Sequence, residues 1–190
     1  MAYLEQDSNE SFNIVLQNIL AHPPNLSNDL VSKIRNLENA GFLHMTDFGG
    51  QNLIHAAAQA GNYDLISYLI DRGLDFDSKD RHGWSPLVIA VNARQYRLAE
   101  FLLKKGADPC IVTNSNGNLF HYLMKNYVAG AEMDPCFMTI FNCLASNNVD
   151  VNAKDDYGET PLTYLCEKDP KEPLVSMLLL RGAKINISGK

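Results

Sequence analysis

No stretch of the 190-residue sequence approaches the ~20 consecutive apolar residues that a membrane-spanning helix requires. The opening MAYLEQDSNE lacks both the basic and the apolar region of a cleaved leader. Positive charge is also short: 16 Lys and Arg stand against 22 Asp and Glu, a net charge of -6, which argues against a surface built to displace counterions from nucleic acid. The four cysteines, Cys110, Cys136, Cys143 and Cys166, form no CxxC pair, so neither a zinc site nor a disulfide framework is expected. They read as buried free thiols in a reducing compartment, and Cys136 and Cys143, seven apart, share one helical face. GxSxG, GxxxxGK[ST] and HExxH are all missing. No catalytic residue, metal ligand or cofactor site is therefore assigned.

Repetition is what the sequence does contain. Asn52 to His55 read NLIH and Asn118 to His121 read NLFH, with Ser85-Pro86-Leu87-Val88 between them and Thr160-Pro161-Leu162-Thr163 beyond. The four starts are separated by steps of 33, 33 and 42 residues, and a period of this size decides an architecture. Each start carries a side-chain oxygen able to accept from the free N–H groups of a helix's first turn, and Pro86 and Pro161 stand at the first helical position, where no N–H is needed. Loss of such a cap should cost ~1 kcal/mol.

A second helix precedes each of Gly73, Gly106, Asn148 and Gly182, residues that tolerate positive φ and stop it. Its apolar positions recur at helical spacing: Leu65, Ile66, Leu69 and Ile70; Leu98, Phe101, Leu102 and Leu103; Ile140, Phe141 and Leu144; Val175, Leu178 and Leu179. All are expected to face the core. One such pair cannot bury its apolar side alone, so neighbours must stack.

These residues resemble the ankyrin repeat, whose pattern is Asp, two variable positions, Gly, one variable position, then Thr-Pro-Leu-His. Asp80, Gly83, Ser85, Pro86, Leu87 and Ala90 match it, as do Asp155, Gly158, Thr160, Pro161 and Leu162, and Asp47, Gly50, His55, Ala57, Ala58 and Gly61. Tails at Gly106-Ala107-Asp108 and Gly182-Ala183-Lys184 agree. The resemblance covers four repeats, at 47–79, 80–112, 113–154 and 155–190. It implies an all-α helical solenoid with short turn or hairpin tips between helix pairs, and a non-catalytic protein–protein interaction module. It also implies that His55 holds its own turn by a local hydrogen bond, where a catalyst would need an acid or nucleophile beside it.

The family's partner-contacting positions fall on Phe48 and Gln51 at the first tip, and on Arg81, His82 and Trp84 at the second. Ser115 follows at the third, with Asp156, Tyr157 and Glu159 at the fourth; Gln59, Asn92 and Lys125 lie on the helix faces. Trp84 stands out, since a repeat needs no tryptophan there; it is either a binding anchor flanked by Phe48, Arg81 and Tyr157 or a ring packed on the neighbouring turn. Asn152 holds the turn position that asparaginyl hydroxylases modify in some members.

Repeat three departs from the pattern. Thr113 replaces the leading Asp, Asn116 the turn Gly, and Leu123 and Met124 the paired alanines, which suggests looser helix packing. Its extra residues fall around Val128 to Pro135, with Asp134 and Pro135 restarting the second helix. Residues 1–46 read as a polar, loose first ten residues followed by a degenerate helical cap: Phe12 to Ala21, a break at Pro23-Pro24, then Asp29 to Ala40, stopped by Gly41. At the other end, Leu174 to Leu180 put apolar residues all round the helix, so further repeats or a second chain are expected to cover it. The expected partner is another protein, in the cytoplasm, with the nucleus or delivery into a host cell as other destinations. Two further functional readings stand beside this one: a substrate-recruiting N-terminal region of a longer enzyme, and a host-directed microbial effector.

Overall fold

Residues 2–21, 26–130, 134–168 and 173–185 are described by the computed structural model, and among them every regular element is helical. The first helix of each repeat begins where a side chain can accept from the first turn. Asn52 Oδ1 accepts from the N–H groups of Ile54 and His55, Asn118 Oδ1 from Phe120 and His121, and Thr160 Oγ1 from Thr163. Ser85 Oγ lies 3.4 Å from the Val88 N–H, and Asp134 caps the helix that opens on Pro135.

Second helices end in one way throughout. The stop residue takes positive φ, at Gly73 (82°), Gly106 (100°), Asn148 (56°) and Gly182 (88°). The residue after each donates its N–H five positions back in the Schellman manner: Leu74 to Leu69, Ala107 to Leu102, Val149 to Leu144 and Ala183 to Leu178. The N-terminal pair closes identically, with Gly41 at 78° and Phe42 donating to Leu37.

The chain divides into two compact units. In the first, Met1–Ala90, α1 (Ala2–Ala21) packs on α2 (Asn28–Asn39) and on α3 (Leu53–Ala60), and α3 packs on α4 (Tyr63–Ile70). Its core is Phe12, Ile19, Ile34, Leu53, Ile54, Leu65, Ile66 and Leu69, all 1% exposed or less. Helix α5 (Pro86–Asn92) begins in this unit and ends in the next.

In the second unit, Val91–Lys190, α6 (Tyr96–Lys105) packs on α8 (Pro135–Ser146), and α7 (Leu119–Lys125) on α8 and α9 (Pro161–Cys166). Helix α9 in turn packs on α10 (Pro173–Leu180). Here the core is aromatic: Phe120 meets Phe141 edge-on at 5.5 Å, and Tyr96 meets Phe137 at 5.4 Å. Leu123 and Met124 are completely buried, so the larger residues at the alanine positions of repeat three fill the interior.

Three expectations need correction. Residues 2–10 are helical where a loose stretch is expected: α1 runs from Ala2, since no Gly or Pro interrupts the chain before Pro23. The cysteines are free but not buried. Cys110 and Cys166 are exposed, and Cys136 and Cys143 are half-buried because the inward stripe of α8 is Phe137, Ile140, Phe141 and Leu144. The apolar stripes are also narrower than the sequence suggests. Ile70, Phe101, Leu103 and Val175 are half-buried and Leu179 is 38% exposed, because each short helix buries one face only. The Pro23-Pro24 break, residues 131–133 of the insertion and the last five residues lie outside the described segments.

Phe141, with no exposed surface, should be the most sensitive kind of position. Phe141→Ala is expected to lower stability by about 3–5 kcal/mol in urea denaturation, whereas Phe48→Ala should leave the midpoint nearly unchanged.

Candidate protein-interaction surface

The tips between helix pairs share one backbone design. In tip one the Asp47 N–H donates to the Gln51 carbonyl and the Gly50 N–H to the Asp47 carbonyl; Asp80 with Trp84 and Gly83, Thr113 with Gly117 and Asn116, and Asp155 with Glu159 and Gly158 repeat the pattern. The residue at the bend has positive φ each time: Gly50 (78°), Gly83 (74°), Asn116 (57°) and Gly158 (78°). Asparagine is the side chain best suited to replace glycine there.

A carboxylate locks three of the four tips from within. Asp47 Oδ1 accepts from the N–H groups of Gly49 and Gln51, Asp80 Oδ1 from His82 and Trp84, and Asp155 Oδ1 from Tyr157 and Glu159, all at 2.8 to 3.0 Å. Repeat three has hydroxyls where the other tips have a carboxylate. Thr113 Oγ1 reaches the Gly117 carbonyl at 3.1 Å and the Tyr122 hydroxyl at 2.9 Å, and Gly117 leaves room for that ring, whose hydroxyl would stand 3.1 Å from an added Cβ. In repeat four the equivalent Tyr164 hydroxyl donates to Asp155 Oδ2 at 2.6 Å, and burial together with this carboxylate raises its pKa.

His55 and His121 join each tip to the next repeat. Nε2 of His55 donates to the Trp84 carbonyl at 3.2 Å, and Nε2 of His121 to the Glu159 carbonyl at 3.2 Å. A carbonyl can only accept, which fixes the proton on Nε2 and leaves Nδ1 to accept the N–H of Asn52 or Asn118. Both rings are buried, and burial holds both below the ordinary pKa of 6.5. Backbone pairing between tips completes the joint: Arg81 N–H to the Gly49 carbonyl at 2.8 Å, and Asp156 N–H to the Ser115 carbonyl at 3.0 Å. Asn152 ties the two tails of the second unit together, donating to the Gly182 carbonyl and accepting from the Lys184 N–H.

The twelve expected contact residues divide evenly between the units. Phe48, Gln51, Gln59, Arg81, His82 and Trp84 belong to the first. Phe48 is 88% exposed, and Gln59, Arg81 and His82 are exposed too. Gln51 spends its amide on Asp80 Oδ2, and Trp84 is half-buried with its backbone engaged on both sides, by Asp80 and His55. In the second unit Tyr157 is 81% exposed, Asp156 accepts from Asn116 Nδ2 at 2.7 Å, and Asn92 accepts from Asn126. Lys125 lies over the Tyr164 ring, while Ser115 and Glu159 are half-buried and give their carbonyls to the tip-to-repeat bonds. Several contact positions therefore also serve the scaffold. Tyr122 and Tyr164 escaped the sequence reading, although each stands nine residues after the first residue of its tip, which is the signal that would have found them.

The Cys136 thiol is pushed up to about 11 by burial first and then by Glu100 and Asp134, so it is not a thiolate at neutral pH. A recess of about 240 Å³ lined by Phe120, Val149, Asp150, Val151 and Arg181 carries one acidic and one basic group, without a poised acid–base pair. Among the described residues no group of three or more His, Cys, Asp or Glu could hold a metal, and no helix is long and apolar enough to cross a membrane.

Short helix pairs joined by hydrogen-bonded tips define a helical-repeat protein. Residues 14–113 match the family model for ankyrin repeats in three copies, and the chain belongs to the ankyrin-repeat family. The match starts inside α1 and so takes in the N-terminal pair. Among curated relatives, transient receptor potential cation channel subfamily A member 1 of Homo sapiens is 29% identical over 148 residues, 78% of this chain and 13% of that protein. An L-asparaginase of Dirofilaria immitis is 30% identical over 77% of this chain and 23% of its own length. A putative ankyrin repeat protein of Rickettsia bellii is 26% identical over 83% of this chain and 47% of its own. The chain thus spans less than half of each. Ankyrin repeats are generally modules that bind other proteins.

The buried histidines give stability a pH dependence. Folding lowers both pKa values, so the unfolded state binds more protons below 6.5, and their contribution, complete above that value, is lost as pH falls through the lowered folded values. The wild-type melting temperature should fall between pH 7 and pH 5. A His55→Gln/His121→Gln variant should be less stable at pH 7 but show a shallower slope by calorimetry.

Proposed function

We propose that the chain is a non-catalytic scaffold or adaptor that binds a partner protein through its tips and adjoining first-helix positions, built on repeats at 47–79, 80–112, 113–154 and 155–190. The observation that carries this reading is the exposure of Phe48 (88%) and Tyr157 (81%) on tips whose backbones are already held by internal carboxylates. Neither ring adds appreciable buried area to the fold, yet each offers a rigid aromatic surface with few rotatable bonds, the type of group that dominates binding energies. Gln59, Arg81 and His82 in the first unit, and Asp156 and Lys125 in the second, supply the polar contacts that set specificity. The cytoplasm is the compartment that suits four free thiols, two of them exposed.

A finer reading is that this array recruits partners or substrates for a longer protein. Its support is the small share, 13% and 23%, that the chain covers of the channel and the asparaginase. Leu179, Leu180 (86% exposed) and Ile185 (68%) then form the face that a further repeat or a second chain covers.

The test is affinity capture with the intact array, followed by titration of the purified partner against Phe48→Ala and Tyr157→Ala. Each variant should keep its circular dichroism and lose about 2 kcal/mol of affinity, roughly thirtyfold. Undiminished binding by both would remove the tips from the interface.

A further inference from the structure

We infer that Asn116 is a site of spontaneous deamidation, built into the third tip by the same substitutions that set repeat three apart. Asn116 precedes Gly117, and it is the only asparagine in the sequence followed by glycine. The reaction needs water alone. The Gly117 backbone nitrogen, giving its proton to solvent, attacks Asn116 Cγ; the Cγ–Nδ2 bond breaks and ammonia leaves, forming a succinimide. Water then opens either C–N bond of the ring, giving aspartate or isoaspartate. Glycine places no side chain in the way of ring closure.

In a folded tip the attacking nitrogen is ordinarily restrained. At the equivalent positions the N–H groups of Gln51, Trp84 and Glu159 are each held by an aspartate carboxylate at 2.8 to 3.0 Å. Thr113 replaces that aspartate in the third tip, and its hydroxyl is turned to the Gly117 carbonyl and to Tyr122. Gly117 is buried against the Tyr122 ring, but no carboxylate of the tip's own first residue holds its N–H. Asn116 is exposed, and the hydrogen bond from its amide to Asp156 at 2.7 Å is an exposed one that exchanges with water. Deamidation replaces that donor by a carboxylate facing the Asp156 carboxylate, so it loosens the side-chain link between tips three and four while the Asp156 N–H to Ser115 carbonyl bond remains.

The experiment ages the intact chain, folded and in denaturant, in mildly alkaline buffer and follows the residue by peptide mass spectrometry with isoaspartate labelling. Folded wild type should convert at Asn116 within a few-fold of the denatured rate. Thr113→Asp restores the carboxylate in the arrangement Asp155 and Tyr164 already show, and should slow the folded reaction on the order of tenfold while leaving the denatured rate alone. Asn116→Asp should lower the melting temperature, and adding Asp156→Asn should recover it. Conversion confined to the denatured chain would overturn the inference, as would a folded rate indifferent to Thr113→Asp.

Discussion

A buried imidazole with one proton to give holds the arrangement together. His55 and His121 each close their own helix cap through Nδ1 and donate through Nε2 to a carbonyl in the tip that follows. Neither bond survives without the other repeat, because the carbonyl belongs to a chain segment 29 or 38 residues further on. An eight-residue helix such as α3 or α4 is too short to be stable in water by itself, so cap, tip and next repeat must form together or not at all. Buried, neutral imidazole suits the task, since a charged ring in that position would bear the desolvation that already lowers its pKa.

Much of this was legible in the sequence because it depends on residue type at fixed spacing. Asn52, Asn118 and Thr160 announce caps, Gly73, Gly106, Asn148 and Gly182 announce stops, and the 33-residue step announces that the units repeat. Less was legible where a property depends on which side of a short helix a residue occupies. Cys136 and Cys143 do share a face, as seven-residue spacing requires, but the face flanks the buried stripe by a fraction of a turn that no spacing rule resolves. The candidate surface shows the same division. Exposure of Phe48 and Tyr157 follows from their tip positions, whereas the use of Gln51 to bind Asp80, and of Asn92 to bind Asn126, depends on side chains from neighbouring segments meeting in space.

Repeat three shows what the fold requires and what it does not. It lacks the aspartate, the bend glycine and the paired alanines, yet its tip makes the same two backbone hydrogen bonds, its bend residue has the same sign of φ, and its histidine makes the same pair of contacts. Thr113 with Tyr122 stands in for a carboxylate, Asn116 for glycine, and Leu123 with Met124 for alanines. The constraint is therefore a backbone shape, which several residue sets can meet. In tips two and four the residue two past the first contributes to that shape chiefly through its main chain, as His82 and Tyr157 do when they donate only an N–H to the aspartate. Side chains at those positions can change without disturbing the turn. A fold whose stability is carried by main-chain bonds, tip aspartates and buried histidines leaves its most exposed side chains to be set by whatever the surface meets.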